Sequence, residues 1–231
     1  MMMRDREYPK THDWGRTVVV WSGGADSTCL LNHYAGVSSE DWPIVALSVV
    51  AYPHISRPLL QKQAEVQKRY LEWAKRRGYH IKHHTMRVTG SFGYGREGNA
   101  PQPSLWLAAL SQILDERDRV MMGYIRTDDV WHCMSEFRDV FDAFCKLKEF
   151  KHAKLEFPFE WEHKVDILRR LKKGKVPDRC WFSCDHTKDG KPCGQCSKCD
   201  ELAAARALLK KQDVARKVIM LDDKPKKKRK R

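Results

Sequence analysis

Two stretches of this 231-residue chain carry residue types that can do chemistry. The first is Ser22-Gly23-Gly24-Ala25-Asp26-Ser27-Thr28, directly after the β-branched run Thr17-Val-Val-Val-Trp21. A strand entering such a turn lets backbone N–H groups converge with no Cβ in the way. The helix that follows points its free amides and positive dipole end into the same space. Ser22, Ser27 and Thr28 add hydroxyls, and the result is a cradle for phosphate or pyrophosphate. No Gly-Lys-Ser/Thr follows, so this is not a Walker A loop, and charge must be neutralised by Mg²⁺ and by basic residues elsewhere. The competing reading is a plain Gly-Gly turn with Asp26 or Ser22 capping the helix. Placement after the first apolar strand favours the nucleotide site.

The second stretch is Cys184-x8-Cys193-Gly-Gln-Cys196-Ser-Lys-Cys199. Two Cys-x2-Cys steps form a tight knuckle, and a loop turned at Gly190 brings back the fourth thiolate. Four thiolates complete a closed tetrahedral shell, so the pattern predicts a structural Zn²⁺ on Cys184, Cys193, Cys196 and Cys199. An Fe–S cluster also suits four cysteines. A redox-active pair is weaker, because no thioredoxin-like strand and helix surround it. Disulfides are disfavoured in an intracellular setting, where the chain is expected to reside. Cys180 reads as a separate buried thiol, and His186 as a spare donor that four cysteines make unnecessary.

Apolar runs must position both stretches. Strands are predicted at Thr17–Trp21, Pro43–Val50, His80–Met86, Arg119–Gly123 and Leu155–Phe159. Between them the sequence reads as helices from Asp26, over 57–77 with Gly78 closing the end, and over 104–115, 137–150 and 162–172. A Gly-rich loop, Gly90–Pro103, interrupts the alternation. Strands apolar on both faces, alternating with helices, predict a doubly wound α/β domain with a parallel sheet. Its ligands would bind at the strand C-termini. The domain is expected over residues 1–177, a cysteine module with a helix (200–212) over 178–212, and a disordered basic tail over 213–231.

Lys and Arg exceed Asp and Glu by 44 to 30, a net charge of +14. Seven of those positive charges sit in Lys224–Arg231, leaving a body near +7 that suits anionic substrates. The tail reads as a solvated terminus with weak nucleic-acid contact, although it also resembles a nuclear-import signal. No apolar run approaches the ~20 residues of a membrane span, and the first residues lack a secretory core. A cytoplasmic protein is expected, with a homodimer left open.

Ser-Gly-Gly-x-Asp-Ser-Thr after an N-terminal strand resembles the PP-loop of the ATP pyrophosphatases. The late Cys-x8-Cys-Gly-x-Cys-x2-Cys is similar to the pattern of one branch, 7-cyano-7-deazaguanine synthase. Gly123 with Thr127-Asp128, and Pro158 followed by Lys164-Val-Asp-Ile167, add weaker matches. The resemblance implies cleavage of ATP between its α and β phosphates, with Mg²⁺. The carboxylate of 7-carboxy-7-deazaguanine would be adenylated, and ammonia would displace AMP. A second adenylation and dehydration would give the nitrile, for a modified tRNA or DNA base.

It further implies catalytic Ser22, Asp26, Ser27 and Lys164, and ATP contacts from Trp21, Ser22, Gly23, Gly24, Ala25, Asp26, Ser27, Thr28 and Arg126. Asp128, Trp131 and Arg138 would face the deazapurine. Three segments depart from the family: Ala51-Tyr-Pro-His54, Pro101-Gln-Pro-Ser104 and Val130–Arg138. Because these are substrate-side segments, tRNA thiolation and coupling of a related acid to another amine remain as alternatives. A zinc-containing nucleic-acid-binding protein is the non-enzymatic one.

Overall fold

The computed structural model describes residues 15–52, 56–89 and 102–222. Residues 223–231 of the expected tail, most of the Gly-rich loop and parts of the segments at Ala51 and Pro101 lie outside the described residues, whereas 213–222, expected to be disordered, are helical. Strand β1 (Thr17–Val20) is followed by α1 (Ala25–Ala35), β2 (Ile44–Tyr52), α2 (Arg57–Arg76), β3 (Ile81–Thr89) and α3 (Gln102–Ile113). Then come β4 (Arg119–Met122), α4 (Met134–Leu147), β5 (Lys154–Glu156) and α5 (Lys164–Lys173). A small hairpin, β6 (Thr187–Lys188) and β7 (Lys191–Pro192), precedes α6 (Ser197–Asp222).

The five main strands form one parallel sheet in the order β3-β2-β1-β4-β5. This is the doubly wound α/β fold that the alternating pattern predicts. Strand residues alternate between faces, which builds two cores from one sheet. Val19, Trp21, Ala46 and Met121 pack with α1, α2, α5 and α6 through Leu30, Tyr70, Ile167 and Leu202. Val18, Val20, Leu47, Val120 and Met122 pack with α3 and α4 through Leu110 and Phe141. The order reverses direction at β1, which lies between β2 and β4. A crevice therefore opens at the C-terminal ends of β1 and β4, the usual ligand position in such sheets.

Boundaries shift in instructive ways. α4 begins at Met134, after a short 3-10 turn over Trp131–Cys133, and ends three residues before Phe150. β5 is shorter than predicted because the chain turns away after Glu156. α6 starts at Ser197, within the cysteine knuckle, and runs to Asp222 rather than ending at Gln212. No glycine or proline falls between Gly194 and Pro225 to stop it. Gly78, with φ +75°, does close α2. No helix among the described residues is long and apolar enough to cross a membrane.

Candidate active site

The turn after β1 is built by close packing. Gly23 has φ +84°, and a Cβ there would meet Gln67 and Val66 of α2 at 3.2 Å. Gly24 is the N-cap of α1 and receives no side-chain cap. Its N–H instead donates to Ser22 Oγ at 3.2 Å, and the Ser22 N–H donates to Ser27 Oγ at 3.3 Å. The two hydroxyls lie 3.1 Å apart. Two of the loop's amides are thus satisfied by its own serines, which an incoming phosphate can replace. Across the crevice, Gly123 ends β4 so tightly that a Cβ would sit 3.0 Å from the Ser27 backbone. That approach requires glycine.

A cavity of about 200 Å³ opens above the loop. Ser22, Gly24, Asp26 and Ser27 line it from β1 and α1, Gly123, Tyr124 and Asp128 from the end of β4, and Gln63 and Trp106 from α2 and α3. The far wall is Phe182, Ser183, Cys184, Asp185 and Lys198 of the cysteine module. The Phe182 N–H donates to Gly23 O at 2.9 Å, joining the module's lead-in directly to the phosphate loop. A second cavity of about 330 Å³ shares Ser22, Gln63 and Trp106 with the first. It contains a polar chain in which Gln67 donates to Ser48 Oγ at 2.9 Å and Ser48 Oγ donates to Trp21 O at 2.8 Å. His83 Nε2 stands 2.9 Å from the same hydroxyl, and burial and then the neighbouring His84 hold its pKa below the usual histidine value.

Charge is concentrated beneath the loop. The buried Lys164 ammonium, 3% exposed, pairs with Asp26 Oδ2 at 2.6 Å and with Glu201 of α6 at 3.5 Å. Glu201 also accepts the Thr127 hydroxyl. Asp26 Oδ1 is buried without a hydrogen-bond partner. Burial raises the Asp26 pKa, Lys164 opposes the rise, and Asp128 adds to it. An unpartnered carboxylate oxygen beside a phosphate cradle fits Mg²⁺ brought with a nucleotide. Lys198 pairs with Asp128 Oδ1 at 2.7 Å. Burial works against that ammonium, but Asp128, Glu201 and Asp26 outweigh it and raise its pKa.

The four cysteine sulfurs all lie within 4.8 Å of one another. Cys184 is 3.6 Å from Cys193 and 3.8 Å from Cys196, and Cys193 is 4.0 Å from Cys199. A single tetrahedral ion with thiolates at ~2.3 Å spaces its sulfurs ~3.8 Å apart, so this group could hold one metal ion. The hairpin that returns Cys193 turns at Asp189 (φ 52°) and Gly190 (φ 70°), both positive as a two-residue loop requires. Cys180 is buried outside the group, where desolvation raises its pKa.

The predicted residues separate into those that meet at the cavity and those that do not. Ser22, Gly24, Asp26, Ser27 and Asp128 line it, and Lys164 supports it from below. Trp21, Ala25 and Thr28 are fully buried; Trp21 Nε1 donates to Thr28 Oγ1 at 2.9 Å, so both side chains brace the loop instead of reaching a ligand. Gly23 contributes its carbonyl to Phe182.

Arg126, Trp131 and Arg138 do not line the cavity. Arg126 is exposed, with its guanidinium over the Trp131 ring at 5.9 Å. Trp131 Nε1 donates to Glu160 O at 2.6 Å, and Arg138 pairs with the Glu160 carboxylate. Glu160, which carries no motif, draws both away. Asp128 is committed to Lys198 and, through Oδ2, to the Ile125 N–H at 2.9 Å. The sequence reading missed Lys198, Phe182, Trp106 and Gln63. Lys198 lies inside a Cys-x2-Cys step and reads there as a spacer, so no spacing rule would have found it.

The family model described as "Queuosine biosynthesis protein QueC" matches residues 106–220. No curated protein matches. Among solved structures, "U34-tRNA thiolase NcsA from Methanococcus maripaludis with its 4Fe-4S cluster" is similar at 14% identity and a TM-score of 0.49, covering 87% of this chain and 74% of that one. The Ser22–Thr28 loop precedes the matched segment, and the four cysteines fall inside it. Over residues 106–220, then, the chain is similar to the QueC family.

Proposed function

We propose that this protein is an ATP-dependent ligase. It would convert 7-carboxy-7-deazaguanine and ammonia to 7-cyano-7-deazaguanine through adenylated intermediates. The observation that carries the reading is a lysine-free phosphate loop sharing one cavity with the four-cysteine module. A loop of hydroxyls and amides stabilises departing pyrophosphate and has no lysine to follow a transferred γ-phosphoryl group. The carboxylate oxygen of the acid attacks the α-phosphorus and pyrophosphate leaves. Ammonia then adds to the activated carbon and AMP departs with the bonding electrons. A second adenylation, now of the amide oxygen, allows loss of AMP to give the nitrile.

Ser22, Ser27 and the first amides of α1 would bind the pyrophosphate. The adjoining cavity past Trp106 and Gln63 would take the nucleoside. Asp26, steadied by Lys164, would hold Mg²⁺, which supplies charge neutralisation at the phosphates. Cys184, Cys193, Cys196 and Cys199 would hold Zn²⁺ in a closed, structural shell.

The displacement of Trp131 and Arg138 onto Glu160 supports a second reading, in which the same adenylation serves thiolation or a different acid and amine. One assay separates them. Protein, Mg-ATP, ammonia and 7-carboxy-7-deazaguanine are incubated and analysed by mass for AMP, pyrophosphate and nitrile. AMP with nitrile is the expected result. AMP without nitrile, when a carboxylate or tRNA substrate is supplied, overturns the deazaguanine acid and keeps the adenylation. ADP in place of AMP overturns both.

A further inference from the structure

Among the described residues lining the cavity, three carboxylates, Asp26, Asp128 and Asp185, face a single cation, Lys198. Lys164 is spent beneath the loop on Asp26 and Glu201, and Arg126 lies elsewhere. Among the described residues, Lys198 is therefore the cation of this cavity placed to meet a nucleotide's phosphate chain. We propose that Lys198 is the phosphate-chain clamp of this cavity, supplied by the cysteine knuckle in place of the lysine that the loop lacks. The inference rests on the nucleotide reading above.

Three observations support it. Lys198 lines the same cavity as Ser22 and Ser27, from the opposite wall. Its ammonium has three donors, and the hydrogen bond seen for it is to Asp128 at 2.7 Å, which leaves donors for a ligand. Asp128 is itself fixed by the Ile125 N–H at 2.9 Å, so it acts as a bracket that orients a long, otherwise flexible side chain. The lysine backbone is equally constrained, because the Cys199 N–H donates to Cys196 O at 2.8 Å across the knuckle. Asp128 is then a positioning residue for Lys198, and not the reader of a base edge.

The test is titration calorimetry on metal-replete protein with Mg-ATP, Mg-pyrophosphate and AMP, comparing the parent with Lys198→Met and Lys198→Arg. Loss of one charge-assisted contact should weaken Mg-ATP and Mg-pyrophosphate roughly tenfold to a hundredfold in Lys198→Met. AMP should change less, and Lys198→Arg should recover most of the affinity. Metal content should stay at the parent value, while the thermal midpoint falls because Asp128 loses its partner. The selective loss of Mg-pyrophosphate over AMP is the readout that a purely structural role would not give. Parent-like pyrophosphate binding by Lys198→Met overturns the clamp, as does a loss that appears only together with metal loss. A parent that binds neither ATP nor pyrophosphate overturns the nucleotide reading itself, a result distinct from the other two.

Discussion

Replacing Lys164 with methionine tests whether the charge cluster under the loop is organised as described. The ammonium is 3% exposed and lies 2.6 Å from Asp26 and 3.5 Å from Glu201, so its removal strands two carboxylates beneath the phosphate loop. Breaking a buried pair from one side costs about 3–5 kcal/mol. For a chain of this length, about 2–4 °C per kcal/mol converts this to a drop in thermal midpoint of roughly 6–20 °C at pH 8.

The penalty should depend on pH. Burial sets the folded Asp26 pKa above its unfolded value, so between those two values the fold holds a proton there that the unfolded chain releases. Stability from that proton is full below the unfolded value of about 3.9 and is lost as pH rises through the folded value. Without Lys164 the folded value rises further, so the penalty is greatest at alkaline pH and shrinks as the buffer is acidified. Unfolding followed by circular dichroism at pH 8 and pH 5 measures this directly. Adding Asp26→Asn removes one of the two stranded charges and should recover at least about 1 kcal/mol through coupling of neighbours. A Lys164→Met protein within about 1 kcal/mol of the parent, or a penalty identical at both pH values, would refute the account.

Two further outcomes are expected. Gly123→Ala places a methyl 3.0 Å from the Ser27 backbone, where no side-chain rotation relieves it; overpacking of this kind costs about 1–3 kcal/mol. Unfolding and Mg-ATP titration should register both the lost stability and a weaker nucleotide as the start of α1 is displaced. Cys196→Ser should lose about one metal ion per chain by elemental analysis and unfold at markedly lower temperature, because binding of a structural metal is itself folding free energy.

The parallel sheet and both chemical stretches were legible because their signals are local. Four consecutive buried positions, Val18 to Trp21, demand a strand covered on both faces, and glycines at 23 and 24 have few other uses after it. The cysteine spacing likewise carries its own geometry. Arg126, Trp131 and Arg138 lie away from the cavity lining because long polar side chains take direction from tertiary partners, here Glu160 and an aromatic neighbour. Lys198 was invisible for the complementary reason: its place comes from a cavity whose facing side chain, Asp128, lies 70 residues away in sequence. The extra length of α6 follows from absent stop signals, which pattern reading weighs less than present ones.

On the proposed function, the bond from the Phe182 N–H to Gly23 O would make metal and nucleotide thermodynamically linked ligands. Phe182 and Cys184 belong to one apolar cluster with Leu59 and Val66 of α2, against which Gly23 is also pressed. Whatever steadies the knuckle steadies the loop, and linkage makes the effect reciprocal. A chelator would thus behave toward this protein as an antagonist of ATP without ever entering the ATP site, and saturating nucleotide would slow the escape of the metal.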